Sequence, residues 1–210
     1  MLNAVLFDLD GTLIDTNELI IDSFKHTFEV LKKPVPTREK IISCFGEPLH
    51  ETMNKFFDDA DEAVEIYREF NLKYHDDRIS SYKNASEMLE NLKNKGYKLA
   101  IVTSKNRSTA LRGLKYLKIL DYFEVLVSSD EVENHKPHPE PVLKACEILE
   151  VSPKNSIMVG DSIYDIMSGR NAGSKTCGVC YSFMKDKLLE MKADYYIDDL
   201  IEILDIVQAV

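Results

Sequence analysis

The sequence predicts an α/β protein with a doubly wound parallel sheet and a small helical cap inserted after the first strand. Three observations predict it. Short apolar runs at 4–7, 98–103, 124–128, 156–160, 176–181 and 194–197 read as buried strands. Amphipathic stretches at 85–95, 107–117, 140–149, 164–172 and 185–191 alternate with them, which means βαβ units and a parallel sheet. From about residue 16 to residue 78 the alternation stops and only helical patterns remain. The core is therefore Rossmann-like, built from 1–15 and 80–210, and 16–79 is the cap.

Each element has a local reason. The first strand is the apolar run from Ala4 to Phe7, and it ends at Asp8, Leu9, Asp10, Gly11 and Thr12. In the cap, Leu19, Ser23, Phe24, Thr27, Phe28 and Leu31 share one helical face, and Pro34 and Pro36 stop that helix. Thr37 is a candidate N-cap for a second helix. Residues 46–49 form a turn, and a longer helix carries Val64, Tyr67, Phe70 and Tyr74 on one face. Asp121, Gly160, Gly173 and the prolines at 137, 139, 141 and 153 punctuate the turns of the core. The insertion leaves from the C-terminal end of a strand, where open α/β sheets bind ligands. A lid belongs in that position.

The 210 residues suffice for one large core or a core with a small second domain. The net charge of −10 lacks the basic stripe of a nucleic-acid surface. No apolar run approaches the roughly 18 residues of a membrane span. Asp8 interrupts the apolar start, so no signal peptide is read and the expected compartment is the cytoplasm. No obligate protein partner is evident. Cys177 and Cys180 form C-x-x-C, but residues three apart in a strand face opposite ways. They read as small strand residues, not as a redox pair or a zinc site. The five histidines share no metal spacing and receive no role.

The chemistry gathers at strand ends. Asp8 and Asp10 are two apart and share a face of extended chain, and Gly11 permits a tight turn after them. Taken alone, they read equally as a solvated Asp-Gly turn or as a metal site and acid/base pair. Thr103, Ser104 and Lys105 end a second strand, with hydroxyls and free N–H groups suited to phosphate oxygens. Ser104 or Asn106 serves equally as a helix N-cap there. Lys136 precedes a proline-rich turn that holds it in place. Asp161 ends another strand, and Asp165 falls on the first turn of a helix starting at Ser162. Strand C-termini line one edge of a doubly wound sheet, so these groups become neighbours. Four carboxylates in one cleft demand a hard cation, Mg²⁺. A lysine and a hydroxyl beside it make a phosphoryl site. The expected partner is a small anionic phosphate.

The ordered set DLDGT (8–12 within it), VTS (102–104), KP (136–137) and GDSIYD (160–165) resembles the four motifs of the haloacid dehalogenase superfamily across the whole chain. The resemblance implies a nucleophilic Asp8 and an Asp10 that acts as general acid and then base. It implies Thr103 and Lys136 on the transferring phosphoryl oxygens, with Ser104 and Gly11 beside them. It implies Mg²⁺ held by Asp8, the backbone carbonyl of Asp10 and Asp161, with Asp165 in support. Aspartates at both 8 and 10 point to a phosphohydrolase or phosphomutase. Several cap and core stretches, above all 16–20 and 67–76, resemble the PpaX-type inorganic pyrophosphatases of Gram-positive bacteria. Phosphoglycolate phosphatases share all four motifs and stand second; a sugar phosphomutase and a non-catalytic phosphate-binding regulator stand behind them. Asn17 is a candidate contact to a second phosphate. Lys25, Arg38, Glu47 and Lys105 share its rim position, where an ordinary surface role is the expected one.

Overall fold

β1 (Ala4–Phe7) is four residues without solvent exposure, and its side chains alternate between two apolar layers. Val5 and Phe7 enter one layer, Ala4 and Leu6 the other. The computed structural model describes residues 1–209. In it β1 is flanked by β4 (Lys98–Val102) and β6 (Ser156–Gly160), both parallel to it. β5 (Val125–Val127) adds beyond β4, and β7 (Lys175–Val179) and β8 (Tyr195–Ile197) add beyond β6. The sheet order β5-β4-β1-β6-β7-β8 reverses direction of growth between β1 and β6. That switch point opens a crevice at the strands' carboxyl ends.

Helices cover both faces, because both faces of these strands are apolar. α5 (Ala85–Asn94), α6 (Arg107–Tyr116) and α10 (Ile203–Ala209) pack Met88, Leu89, Leu92, Ala110, Leu114, Ile203 and Val207 against Val5, Phe7, Leu99, Ile101, Ile157 and Val159. α7 (Glu140–Ile148) packs Val142, Ala145 and Cys146 against Leu6, Ala100, Val102 and Met158 on the other side. α8 (Ile163–Ala172) joins α7 there, and α9 (Lys185–Glu190) lies against β7.

Between β1 and β4 the chain forms α1 (Asn17–Val30), α2 (Arg38–Ile42), α3 (Leu49–Asn54) and α4 (Ala60–Tyr74). They bury an apolar cluster of their own, with Ile21, Phe24, Phe28, Ile41, Phe45, Met53, Phe57 and Val64. Thr37 caps α2, its hydroxyl accepting from Lys40 N–H. A ribbon of two short antiparallel strands, β2 (Ile14–Asp15) and β3 (Ser80–Ser81), ties the entry of this segment to its exit.

Two expectations shift. α4 buries Ala63, Val64, Tyr67 and Asn71, while Phe70 and Tyr74 are only half-buried. Asn71 replaces the expected aromatics because its amide donates to Ser23 Oγ on α1 (3.1 Å), and Ser23 donates to the Leu19 carbonyl (2.6 Å). The strand expected at 176–181 begins at Lys175 and ends at Val179, leaving Cys180 and Tyr181 in the following turn. Cys177 is buried in that strand and all four cysteines are free thiols. No helix among the described residues is long and apolar enough to cross a membrane.

Leu89 lies wholly inside the larger apolar layer. Leu89→Ala is expected to lower the unfolding free energy by about 2–5 kcal/mol. Urea denaturation reads this as a lower midpoint at unchanged slope.

Candidate active site

Asp8 follows the last residue of β1, and its N–H is still held by the Val159 carbonyl of β6 (2.9 Å). Asp161 follows β6 directly, so the two carboxylates flank the switch point. Asp165 arrives from the first turn of α8. Ser162 caps that helix, accepting from Asp165 N–H, while Asp165 Oδ2 accepts from Ser162 N–H (3.0 Å) and Oγ (2.6 Å). The capping box fixes one oxygen of Asp165 and frees the other for the site.

Two glycines make room for this. A Cβ at Gly160 would sit 2.2 Å from the Asp165 Cβ. One at Gly11 would sit 2.3 Å from Asp161 Oδ2, and Gly11 also has φ +81°. Gly11, a phosphate-contact candidate in the sequence, has a structural reason of its own: only glycine clears the Asp161 carboxylate and accepts that backbone angle.

Lys136 is the counter-charge. Its Nζ donates to Asp8 Oδ1 (2.6 Å), Asp165 Oδ1 (2.6 Å) and the Val102 carbonyl (3.2 Å), and its side chain is 2% exposed. Burial alone would lower its pKa, but Asp165 and Asp8 outweigh burial and raise it. One ammonium does not satisfy three acids. Burial, with Asp165 and Asp10 nearby, pushes Asp8 up to about 7 despite Lys136. Burial, Asp8 and Asp165 hold Asp161 well above the usual carboxylate range. Oxygens of Asp8, Asp161 and Asp165 all lie within 4.8 Å of one another. Three buried hard donors with one cation among them fit a divalent metal ion.

Asp10 is set apart from this trio. Its Oδ1 accepts from Thr16 Oγ1 (2.8 Å), and both its oxygens accept from Lys105 Nζ (2.8 and 3.0 Å). Lys105 is therefore no ordinary surface residue, contrary to the sequence reading; its side chain is 13% exposed and committed to Asp10. Its backbone N–H also donates to Thr103 Oγ1 (3.2 Å). Thr103 is buried at the end of β4, and both residues line the cleft.

The remaining sequence candidates divide. Ser104 lines the cleft, but its hydroxyl donates to the Gly46 carbonyl across from it (2.8 Å). Asn106, not Ser104, caps α6, accepting from Thr109 N–H (2.9 Å). Asn17 also lines the cleft, with its amide N–H groups given to Asp15 Oδ1 (3.0 Å) and the Tyr82 hydroxyl (2.9 Å). Lys25 and Arg38 make exposed ion pairs with Asp22 and Glu18. Glu47 departs from a surface role. Its Oε1 accepts from the Tyr164 hydroxyl (2.7 Å), and its Oε2 accepts from Lys55 Nζ (2.5 Å) and Thr52 Oγ1 (3.1 Å). Those bonds outweigh burial and hold its carboxyl below the usual range. Thr12 is fully buried, and its Oγ1 has no partner among the described residues. Above the acids lies a cleft of 280 Å³ between the helical segment and the sheet edge, walled by Phe24, Phe45, Tyr67, Asn71 and others. Sequence reasoning singled out neither Tyr164, although it lies inside GDSIYD, nor Arg68, although it lies inside 67–76.

A family model described as haloacid dehalogenase-like hydrolase matches residues 5–179. The chain belongs to the haloacid dehalogenase-like hydrolases. Among curated relatives, a "Pyrophosphatase PpaX" of Bacillus mycoides is 43% identical, covering 100% of this chain and 98% of that protein. Its Bacillus cereus namesake is 42% identical, covering 98% and 96%. Among solved structures, a haloacid dehalogenase-like family hydrolase from Streptococcus pneumoniae superposes with TM-score 0.87 at 29% identity, covering 98% of both chains. A predicted phosphoglycolate phosphatase from Haemophilus somnus superposes with TM-score 0.86 at 27% identity, covering 99% and 98%.

The raised Asp8 carboxyl has a consequence for stability. Between about pH 4 and pH 7 the metal-free fold keeps a proton on Asp8 that the unfolded chain has lost. Its stability therefore falls as pH rises through that interval. A bound divalent cation replaces the proton, so the rise in Tm caused by Mg²⁺ is expected to be larger at pH 8 than at pH 5.5. Thermal melts with Mg²⁺ and with EDTA at both pH values check this; an equal shift at both would contradict it.

Proposed function

We propose that this chain is a Mg²⁺-dependent phosphohydrolase that cleaves inorganic pyrophosphate through an aspartyl-phosphate on Asp8. The observation that carries the chemistry is the buried cluster of Asp8, Asp161 and Asp165 around Lys136 at the floor of the cleft. The pyrophosphate reading is supported by relatives named pyrophosphatase at 42–43% identity over nearly the whole chain. Residues 16–79 serve as the cap and the remainder as the core.

In this reading a carboxylate oxygen of Asp8 attacks phosphorus, the bridging P–O bond breaks and phosphate departs. Asp10 gives its proton to the leaving oxygen. It then takes one from the water that attacks the aspartyl-phosphate, which returns Asp8 and releases the second phosphate. Lys105 and Thr16 orient the Asp10 carboxylate for both tasks. Lys136 and Thr103 stabilise charge on the transferring phosphoryl group. Asp8, Asp161 and the Asp10 backbone carbonyl, backed by Asp165, would hold Mg²⁺, which when bound supplies positive charge to the phosphoryl oxygens. Apolar walls from Phe24 and Phe45 limit the water that competes for it. The second reading, hydrolysis of phosphoglycolate, is favoured by the structural likeness to the Haemophilus somnus protein.

Phosphate release from pyrophosphate, phosphoglycolate, β-glucose-1-phosphate and p-nitrophenyl phosphate tests the choice. Pyrophosphate is expected to give the highest kcat/KM, with activity lost in EDTA and in Asp8→Asn. Phosphoglycolate in first place would transfer the assignment to the second reading.

The leaving group also sets how much each substrate needs Asp10. Phosphate leaves pyrophosphate as a stable anion, whereas a glycolate ester expels an alkoxide that requires its proton. Asp10→Asn is expected to slow single-turnover ester cleavage more than the first half-reaction with pyrophosphate; equal losses would contradict this.

A further inference from the structure

The charges lining the cleft are unevenly committed. Asp8, Asp10, Glu47, Asp130 and Asp161 line it, against two lysine or arginine side chains, Lys105 and Arg68. Lys105 is already paired with both oxygens of Asp10. Glu47 is held by Lys55 and Tyr164, and Asp130 accepts from Arg107 N–H (2.8 Å). His50 is engaged by Asp61 and Asn54 on the rim. Arg68 is exposed and makes no ion pair or hydrogen bond through its side chain among the described residues. It is the one uncommitted arginine or lysine in the lining.

Its placement is firm. Tyr67, Arg68, Asn71 and Leu72 of α4 all line the cleft, and positions i, i+1, i+4 and i+5 form one stripe of a helix. Both flanks of the stripe are anchored. The Tyr67 ring packs edge-on against Phe24 at 5.2 Å, and Asn71 is tied to Ser23. Arg112 of α6 donates to the Leu72 carbonyl (3.0 Å) and holds the end of α4 to the core. Tyr67 and Arg68 line the same cleft as Asp8 and Asp10, so the stripe faces the acids at its floor.

Pyrophosphate presents two phosphates to this cleft. The transferred one meets Lys136 and the metal-binding acids at the floor. The other has to lie higher in the cleft, whose lining mixes acidic, apolar and neutral polar groups with two histidines and has Lys105 and Arg68 as its lysine and arginine side chains. A second phosphate there needs a cation that is free to pair with it. A guanidinium offers two parallel N–H donors matched to two phosphate oxygens.

We propose that Arg68 is the specificity residue for the non-transferred phosphate, pairing with its oxygens from the helical side of the cleft. This inference rests on the pyrophosphatase reading and assigns the selection of a charged leaving group to one side chain. An ester whose leaving portion carries no anion gains nothing from Arg68, so discrimination between substrates follows from its charge.

Steady-state kinetics of wild type, Arg68→Gln and Arg68→Lys on pyrophosphate and p-nitrophenyl phosphate test the proposal, with thermal melts run beside them. Arg68→Gln is expected to lose about 10- to 100-fold in kcat/KM on pyrophosphate, the scale of a charged hydrogen-bonded pair. p-Nitrophenyl phosphate is expected to change less than about twofold on the same grounds, because it lacks the second phosphate. Arg68→Lys keeps the charge without the fork and should fall between. Because Arg68 is exposed, melting temperatures should be unchanged. Losses shared equally by both substrates, or no loss on pyrophosphate, would overturn the role of Arg68 while leaving the pyrophosphatase reading intact. Wild-type protein that does not cleave pyrophosphate would overturn that reading itself, and this one with it.

Discussion

Lys136 stands between Asp8 and Asp165 with 2.6 Å to each, and the rest of the active edge is arranged around that contact. Removing charges from water costs several kcal/mol per ion unless partners replace the solvent. Here three buried acids lie together and one ammonium bonds two of them. The negative charge left over suits a cation, and in the proposed reading a metal ion and a phosphoryl group would complete the site. Each supporting element serves this arrangement. Gly160 and Gly11 clear space for Asp165 and Asp161, and the capping box of α8 fixes Asp165. The sheet order brings Asp8 and Asp161 to opposite sides of the switch point.

Asp10 lies outside that cluster and differs from it in surroundings. Thr16 and Lys105 hold its carboxylate toward the cleft. The two aspartates of one strand end thus have different surroundings, which suits the nucleophile and proton carrier proposed for them. The helical segment lies over both, and polar contacts join it to the sheet edge around the cleft. Ser104 donates to Gly46, and Tyr164 donates to Glu47. A Cβ at Gly46 would meet Ser162 and Tyr164 at under 3 Å, so the turn sits directly on the α8 loop. The short β2–β3 ribbon ties the entry of that segment to its exit.

The strands that could be read most closely were the fully buried ones. β1 and β6 coincide with their apolar runs because each run ends abruptly at an aspartate or a glycine. The convergence of Asp8, Lys136, Asp161 and Asp165 was legible because parallel topology alone places strand ends together. What escaped depends on side-chain direction or on polar pairing. Asn71 is missing from the face read in the sequence because its buried partner, Ser23, lies on another helix. Lys105 looked like a rim lysine because the loop after β4, not its spacing, turns it onto Asp10. β2 and β3 are two residues each, one of them two serines, too short for any periodicity to register.

The central claim is that Asp8 takes the phosphoryl group from pyrophosphate. Rapid acid quench of a single turnover with ³²P-pyrophosphate, followed by peptide mapping, tests it most directly. The account predicts transient label on the peptide containing Asp8, sensitive to hydroxylamine and missing in Asp8→Asn. Turnover of pyrophosphate at the wild-type rate by Asp8→Asn, or label on another residue, would contradict it.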